Sequence, residues 1–221
     1  MLRGLGLLRE GRPEPAAIAF STLAPTASMF PDALVGRLIA AWCTDDWPEA
    51  THVLRVITRT KGVVRPRRQV LRELHRLLVE GGAVTALQAA RNRAEIEADT
   101  LLTLDALLAA GQSRQARRAV LLLQASGWAA PLAAAAAIFL RHRDHGTALH
   151  LVRAAEDAGF SGIALLELKA RILDECGEPA AACSLYLEAI ETAPDRVQNY
   201  LALARSLQAH GRKVLGRRAR R

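Results

Sequence analysis

Ile163 to Arg196 reads IALLELKARILDECGEPAAACSLYLEAIETAPDR, and its punctuation decides the fold. Two runs with apolar residues at helical spacing flank the break Cys176-Gly177-Glu178. With Ile163 as position 1, Leu166 falls at 4, Ala170 at 8, Leu173 at 11 and Gly177 at 15. Ala182 then falls at 20, Tyr186 at 24, Ala189 at 27 and Pro194 at 32. Ala170 and Ala182 are small enough to let two antiparallel helices approach closely, and Leu173 and Tyr186 fill the groove beside that contact. Gly177 supplies a permissive backbone where the first helix stops, and Pro194 stops the second.

The small residue of the second helix can be followed along the chain as Ala16, Ala50, Ala86, Ala116, Ala148 and Ala182, spaced by 34, 36, 30, 32 and 34 residues. Four residues after each stand Phe20, Leu54, Ala90, Val120, Val152 and Tyr186, and Trp128, Phe160 and Pro194 recur at the helix ends. This register predicts helix pairs over 2–10 and 15–23, 30–43 and 49–59, 67–80 and 83–93, 98–109 and 113–125, 130–141 and 147–158, then the opening stretch. One further helix is expected over 197–209, with Tyr200, Leu203, Ala204 and Leu207 on its packing face. The last residues, GRKVLGRRARR, carry too little apolar content for a partner helix and read as a basic tail.

A 34-residue helix-pair repeat with small residues at positions 8 and 20 resembles the tetratricopeptide repeat (TPR) family. Lys169 at position 7 departs from it, since the family has an apolar residue there. The resemblance implies an all-α fold: an α-solenoid of about six antiparallel helix hairpins over residues 1–210 with a C-terminal capping helix, followed by the tail 211–221. It also implies a concave groove lined by positions 2, 5, 9 and 12 of each first helix. Here those positions include His75, then Leu101 and Asp105, then Ala133, Ala137 and Leu140. Glu167, Arg171 and Asp174 follow, and in the last helix Gln198, Leu201, Arg205 and Gln208. The Lys and Asn that grip a partner's terminal carboxylate in chaperone-binding members have no counterpart at positions 5 and 9, where Leu101, Ala133, Glu167, Asp105, Ala137 and Arg171 stand.

Composition agrees with helices. Of the 221 residues 51% are apolar but only 4% aromatic, so the core must come from Leu, Ala, Val and Ile. The longest apolar run, Trp128 to Leu140, contains Pro131 and five consecutive alanines and is too short to span a bilayer. No secretory layout opens the chain, and three cysteines (Cys43, Cys176, Cys183) do not make a disulfide framework, so a cytoplasmic protein is expected. The net charge of +8 favours anionic partners without choosing among them.

Catalytic chemistry needs convergent groups, and the sequence offers few. No CxxC, HExxH, Gly-rich phosphate loop or GxSxG elbow is present. His142, Asp144, His145 and His150 gather at one predicted turn, where a polar turn is the simpler meaning than a metal site. Cys176 and Cys183 flank another, where two small packing residues are simpler than a redox pair. No catalytic residue, metal or cofactor is assigned, and a non-enzymatic scaffold or adaptor binding a protein segment is expected. Two alternatives stand beside it. Arg65, Arg67, Arg68 and Arg72 at one repeat boundary, and Arg217 and Arg218 in the tail, could hold nucleic acid or another polyanion. The array could also be the docking domain of a larger enzyme.

Overall fold

The computed structural model describes residues 1–80, 93–126 and 128–218. The predicted second helix of the third pair, 83–93, falls almost wholly outside the described residues, with Ala86 and Ala90. Among the described residues there are twelve α-helices and no strand. They are α1 (Leu2–Arg9), α2 (Pro13–Ser21), α3 (Phe30–Cys43), α4 (Trp47–Arg59), α5 (Arg65–Glu80) and α6 (Arg93–Ala109). Then come α7 (Ser113–Ser126), α8 (Ala129–Arg141), α9 (His145–Asp157), α10 (Ile163–Glu175), α11 (Pro179–Thr192) and α12 (Val197–Arg218).

One turn recurs between paired helices. Gly11, Asp45, Gly111, Arg143 and Gly177 all have positive φ, at 70°, 55°, 80°, 61° and 77°. In each case the left-handed residue donates to the carbonyl three residues back, and the next residue donates to the one five back. The pairs run from Gly11 to Leu8 and Arg12 to Leu7 at one end, to Gly177 to Asp174 and Glu178 to Leu173 at the other. This is the Schellman arrangement, which satisfies the last carbonyls of the first helix while reversing the chain. Glycine takes that conformation freely, whereas Asp45 and Arg143 take it against the Cβ penalty. Five residues beyond each left-handed residue stand Ala16, Ala50, Ala116, Ala148 and Ala182, all at 0% exposure. The small residue therefore sits at a helix crossing in every described pair. Phe20, Val120, Val152 and Tyr186 are buried beside it, and Leu54 is half-buried.

The chain divides into two compact units, Met1–Gly127 and Trp128–Arg221. In the second, contacts follow chain order: α8 on α9, α9 on α10, α10 on α11, α11 on α12, with α8 also touching α10. The first differs from a one-dimensional array. Besides neighbouring pairs, α6 packs on α1, α3 and α5, and α5 on α7. The reason lies in α3, where ten residues, from Ala33 to Cys43 with Arg37 excepted, are buried. A helix apolar around most of its circumference has to be enclosed on several sides. Gly4 and Gly36 complete that enclosure, because a Cβ at either would lie within 2.6 Å of the Phe20 ring.

The C-terminal reading is also corrected. The segment 211–218, expected as a tail, continues α12 through Arg218. Arginine, lysine and leucine are good helix formers, and extending an established helix avoids the cost of nucleating one.

Candidate functional site

In the second unit the first helix of each pair carries the positions expected to meet a partner. Gly162, at φ 114°, turns the chain into α10. On α10, Ala164 and Arg171 are exposed. Glu167 is half-buried and accepts from Arg196 Nη1 at 2.9 Å, and Asp174 accepts from the Ser206 hydroxyl at 2.7 Å. On α12, Gln198, Leu201, Arg205 and Gln208 are all exposed, Leu201 to 54%. Arg171 on α10 and Arg205 on α12 thus stand exposed to solvent, while Glu167 and Asp174 are tied down within the fold. Tyr186 lies beneath this face. Burial, reinforced by Asp174 and opposed by Arg171, pushes its phenol up to about 12, so it stays neutral.

Four expected positions fall elsewhere. Leu140 is 3% exposed and Ala133 8%, because α8 buries seven of its residues against its neighbours. Asp105 is 9% exposed in α6, and Leu101 is half-buried. Leu140 and Asp105 are therefore parts of the packed interior and offer little surface. For Asp105 the cause is the extra packing of α6 on α1 and α3, which repeat spacing cannot reveal.

The arginines of the α4–α5 boundary divide into two kinds. Arg67 bonds both carboxylate oxygens of Asp99, at 2.6 and 2.8 Å, and Asp32 at 2.7 Å, so it clamps α3, α5 and α6 together. Its burial works against the charge, but the two carboxylates more than reverse this and raise its pKa. Arg68 donates from Nη2 to the Thr60 carbonyl at 2.7 Å and closes the turn, its Nε buried without an acceptor. The Arg67 guanidinium is thus committed to carboxylates within the fold, which corrects its assignment as an anion ligand, and Arg68 is held to the backbone through Nη2. Arg65 and Arg72 are exposed, with Arg55, Arg59 and Lys61 beside them in the chain. Residues 50–72 hold seven cationic side chains and no carboxylate. Arg217 and Arg218 belong to α12 by backbone, and their side chains lie outside the described set.

The sequence reading did not anticipate the cluster around His75. Trp42 Nε1–H donates to His75 Nδ1 at 3.1 Å, their rings stack at 6.4 Å, and Trp47 meets His75 edge-on at 6.5 Å. The Thr51 hydroxyl donates to the Trp47 carbonyl at 2.8 Å and lies 3.3 Å from His75 Nε2. With its proton so committed, Thr51 accepts from Nε2–H, which fixes a neutral tautomer. Desolvation lowers the His75 pKa against a smaller opposing pull from Glu80. Two tryptophans and a histidine converging from 33 and 28 residues away were the available signal.

At the turn between α8 and α9 the contacts are local. Asp144 caps α9 by accepting from Thr147 N–H at 3.2 Å, and His145 Nε2 lies 3.2 Å from Glu175 Oε2. Among the described residues no three His, Cys, Asp or Glu side chains gather as metal ligands. The three cysteines are free thiols. Burial, with Asp45, pushes Cys43 up to about 12, and burial followed by Glu178 and Glu175 also raises Cys176. Neither is primed as a thiolate nucleophile.

Comparison with known protein families, with curated proteins and with solved structures finds no match for this chain. The class the fold defines is an all-α protein of adjacent helix pairs, compatible with a helical repeat. No helix among the described residues is long and apolar enough to cross a membrane.

Proposed function

We propose that this chain is a non-catalytic scaffold or adaptor of the TPR-like α-solenoid type, and that the first-helix face of its second unit receives a protein segment. The observation that carries this reading is the set of exposed side chains Ala164 and Arg171 on α10 and Gln198, Leu201 and Arg205 on α12, in which each of two consecutive first helices offers an apolar side chain and a guanidinium to solvent. Such a surface suits an amphipathic or extended segment anchored by carboxylates. The helices are held by their own crossings, so the receptor loses little conformational freedom on binding. The reading places the protein in the cytoplasm, where its three cysteines stay reduced.

The test is capture from native extract at about 0.3 M salt after nuclease, a level that screens exposed charges, comparing the natural chain with Arg171→Ala/Arg205→Ala. A retained protein lost by the double variant, at unchanged melting temperature, supports the groove. Equal retention moves the site elsewhere. A second reading rests on the carboxylate-free stretch 50–72: Arg55, Arg59, Lys61, Arg65 and Arg72 would hold a polyanion such as nucleic acid. It predicts binding that is indifferent to Arg171 and falls steeply with salt.

A further inference from the structure

The 34-residue register maps α10 onto α12 side chain by side chain. Ile163, Leu166, Ala170 and Leu173 correspond to Val197, Tyr200, Ala204 and Leu207. In α10 this stripe is in use: Ala170 is 0% exposed and packs with Ala182 and Tyr186 of α11, and Leu173 packs against that cluster. The equivalent small or apolar position is buried in every described pair, at Gly4, Leu38, Leu104, Ala136 and Ala170. Ala204 breaks the rule and is exposed. Around it Val197 is 64% exposed, Tyr200 45% and Leu207 53%. Meanwhile α12 grips α11 through its opposite face, with Asn199 at 2% and Ser206 at 0% exposure.

We infer that the bare stripe of α12 is a docking surface for an acidic amphipathic helix of a protein partner, which seats on Ala204 as α11 seats on Ala170. Charge selects this occupant. The sequence of α12 carries five cationic residues and no carboxylate, so a second copy of α12 would meet like charge. The helix that fills the equivalent place inside the fold is itself acidic: α11 holds Glu188 and Glu191 and no cation. Shape argues against a lipid surface. Helices that lie on membranes present bulky residues at the centre of their apolar face, whereas a small residue between larger ones suits a helix crossing. This surface is separate from the row holding Arg171, and does not rest on that reading.

The probe is a fluorescent peptide of residues 178–193 with Cys183→Ser, stapled between positions 180 and 184 so that its own helix formation does not limit binding. It is titrated into the full chain and followed by fluorescence anisotropy. The natural chain is expected to bind saturably. Ala204→Trp and, separately, Leu207→Glu should each weaken binding at least tenfold with the melting temperature unchanged, since both side chains face solvent. Arg171→Ala should leave it unaltered, which separates this surface from the groove. A peptide with Leu at positions 182 and 189 should bind at least tenfold more weakly. Equal affinity for the natural and Ala204→Trp chains overturns the inference. So does self-association abolished by Ala204→Trp without peptide binding, or capture by phosphatidylserine vesicles but not by the peptide.

Discussion

Replacing Arg67 with Ala should unfold the first unit far more readily than it weakens any anion binding. The guanidinium makes a two-pronged contact with Asp99, whose side chain is 7% exposed, and a third bond to Asp32, which is 44% exposed. Deleting one partner of a buried pair leaves an uncompensated charge and typically costs about 3–5 kcal/mol. The Arg67 side chain retains 18% exposure, so the lower end, about 3 kcal/mol, is expected. Arg67→Lys keeps the charge but cannot form the fork and should cost roughly half as much. Asp32→Asn, at the wetter end, should cost no more than about 1 kcal/mol.

The assay is urea unfolding followed by tryptophan fluorescence, in which Trp42 and Trp47 report the first unit, repeated at low salt and at about 0.5 M salt. A buried pair is screened little, so the Arg67→Ala loss should persist in salt while any Asp32→Asn loss shrinks. An Arg67→Ala midpoint within experimental error of the natural chain would refute the clamp. So would an Asp32→Asn loss as large as that of Arg67→Ala, because the buried carboxylate would then not be the dominant partner.

Four further outcomes follow from the same geometry. Ala148→Leu and Ala182→Leu place bulk at crossings with 0% exposure and should each destabilise the second unit by roughly 1–3 kcal/mol, read by circular dichroism melting. Gly4→Ala puts a methyl group 2.6 Å from the Phe20 ring and should cost the first unit a similar roughly 1–3 kcal/mol in urea. Arg143→Gly relieves a left-handed residue at φ 61° and should raise the melting temperature, corresponding to roughly 1 kcal/mol. His75 has a folded pKa below its unfolded value, so the unfolded chain binds more protons as pH falls. Its contribution is complete above about pH 6.5 and is lost as pH drops through the unfolded value toward the folded one. His75→Gln, which can still accept from Trp42 and donate to Thr51, should flatten that part of the urea midpoint–pH profile. An unchanged slope would assign it to other groups.

Much of the local structure was legible because it depends on residues close in the chain. The helix 30–43 falls where its Pro-Asp start and Thr-Asp-Asp stop place it, and the alanine series marks the crossings because close approach admits few alternatives. What escaped was set by distance. Arg67 looks like one more surface cation until Asp99, 32 residues on, is brought beside it. Asp105 looks like a groove residue until α6 is packed against α1 and α3. The turns around Asp45 and Arg143 were legible, but their left-handed backbone was not, because glycine, the usual marker, is absent at those two positions. The length of α12 was missed for a different reason: low apolar content speaks to burial, and a helix can continue into solvent without it.

The two units place the functional question differently. In the first, α3 is buried at ten residues and α6 is drawn into contact with α1, α3, α5 and α7, so its first-helix positions are spent on packing. In the second, contacts mostly follow chain order, and α10 buries just Leu165, Ala170 and Ile172. An open row of that kind leaves side chains whose removal costs little stability, which is what a binding surface requires. Substitutions that change partner capture at constant melting temperature should therefore concentrate on α10 and α12, at Arg171, Leu201, Ala204, Arg205 and Leu207. Substitutions in α3 and α6 should alter capture only by lowering stability. A scan in which α6 variants lost the partner while keeping the natural urea midpoint would contradict this division and return the site to the first unit.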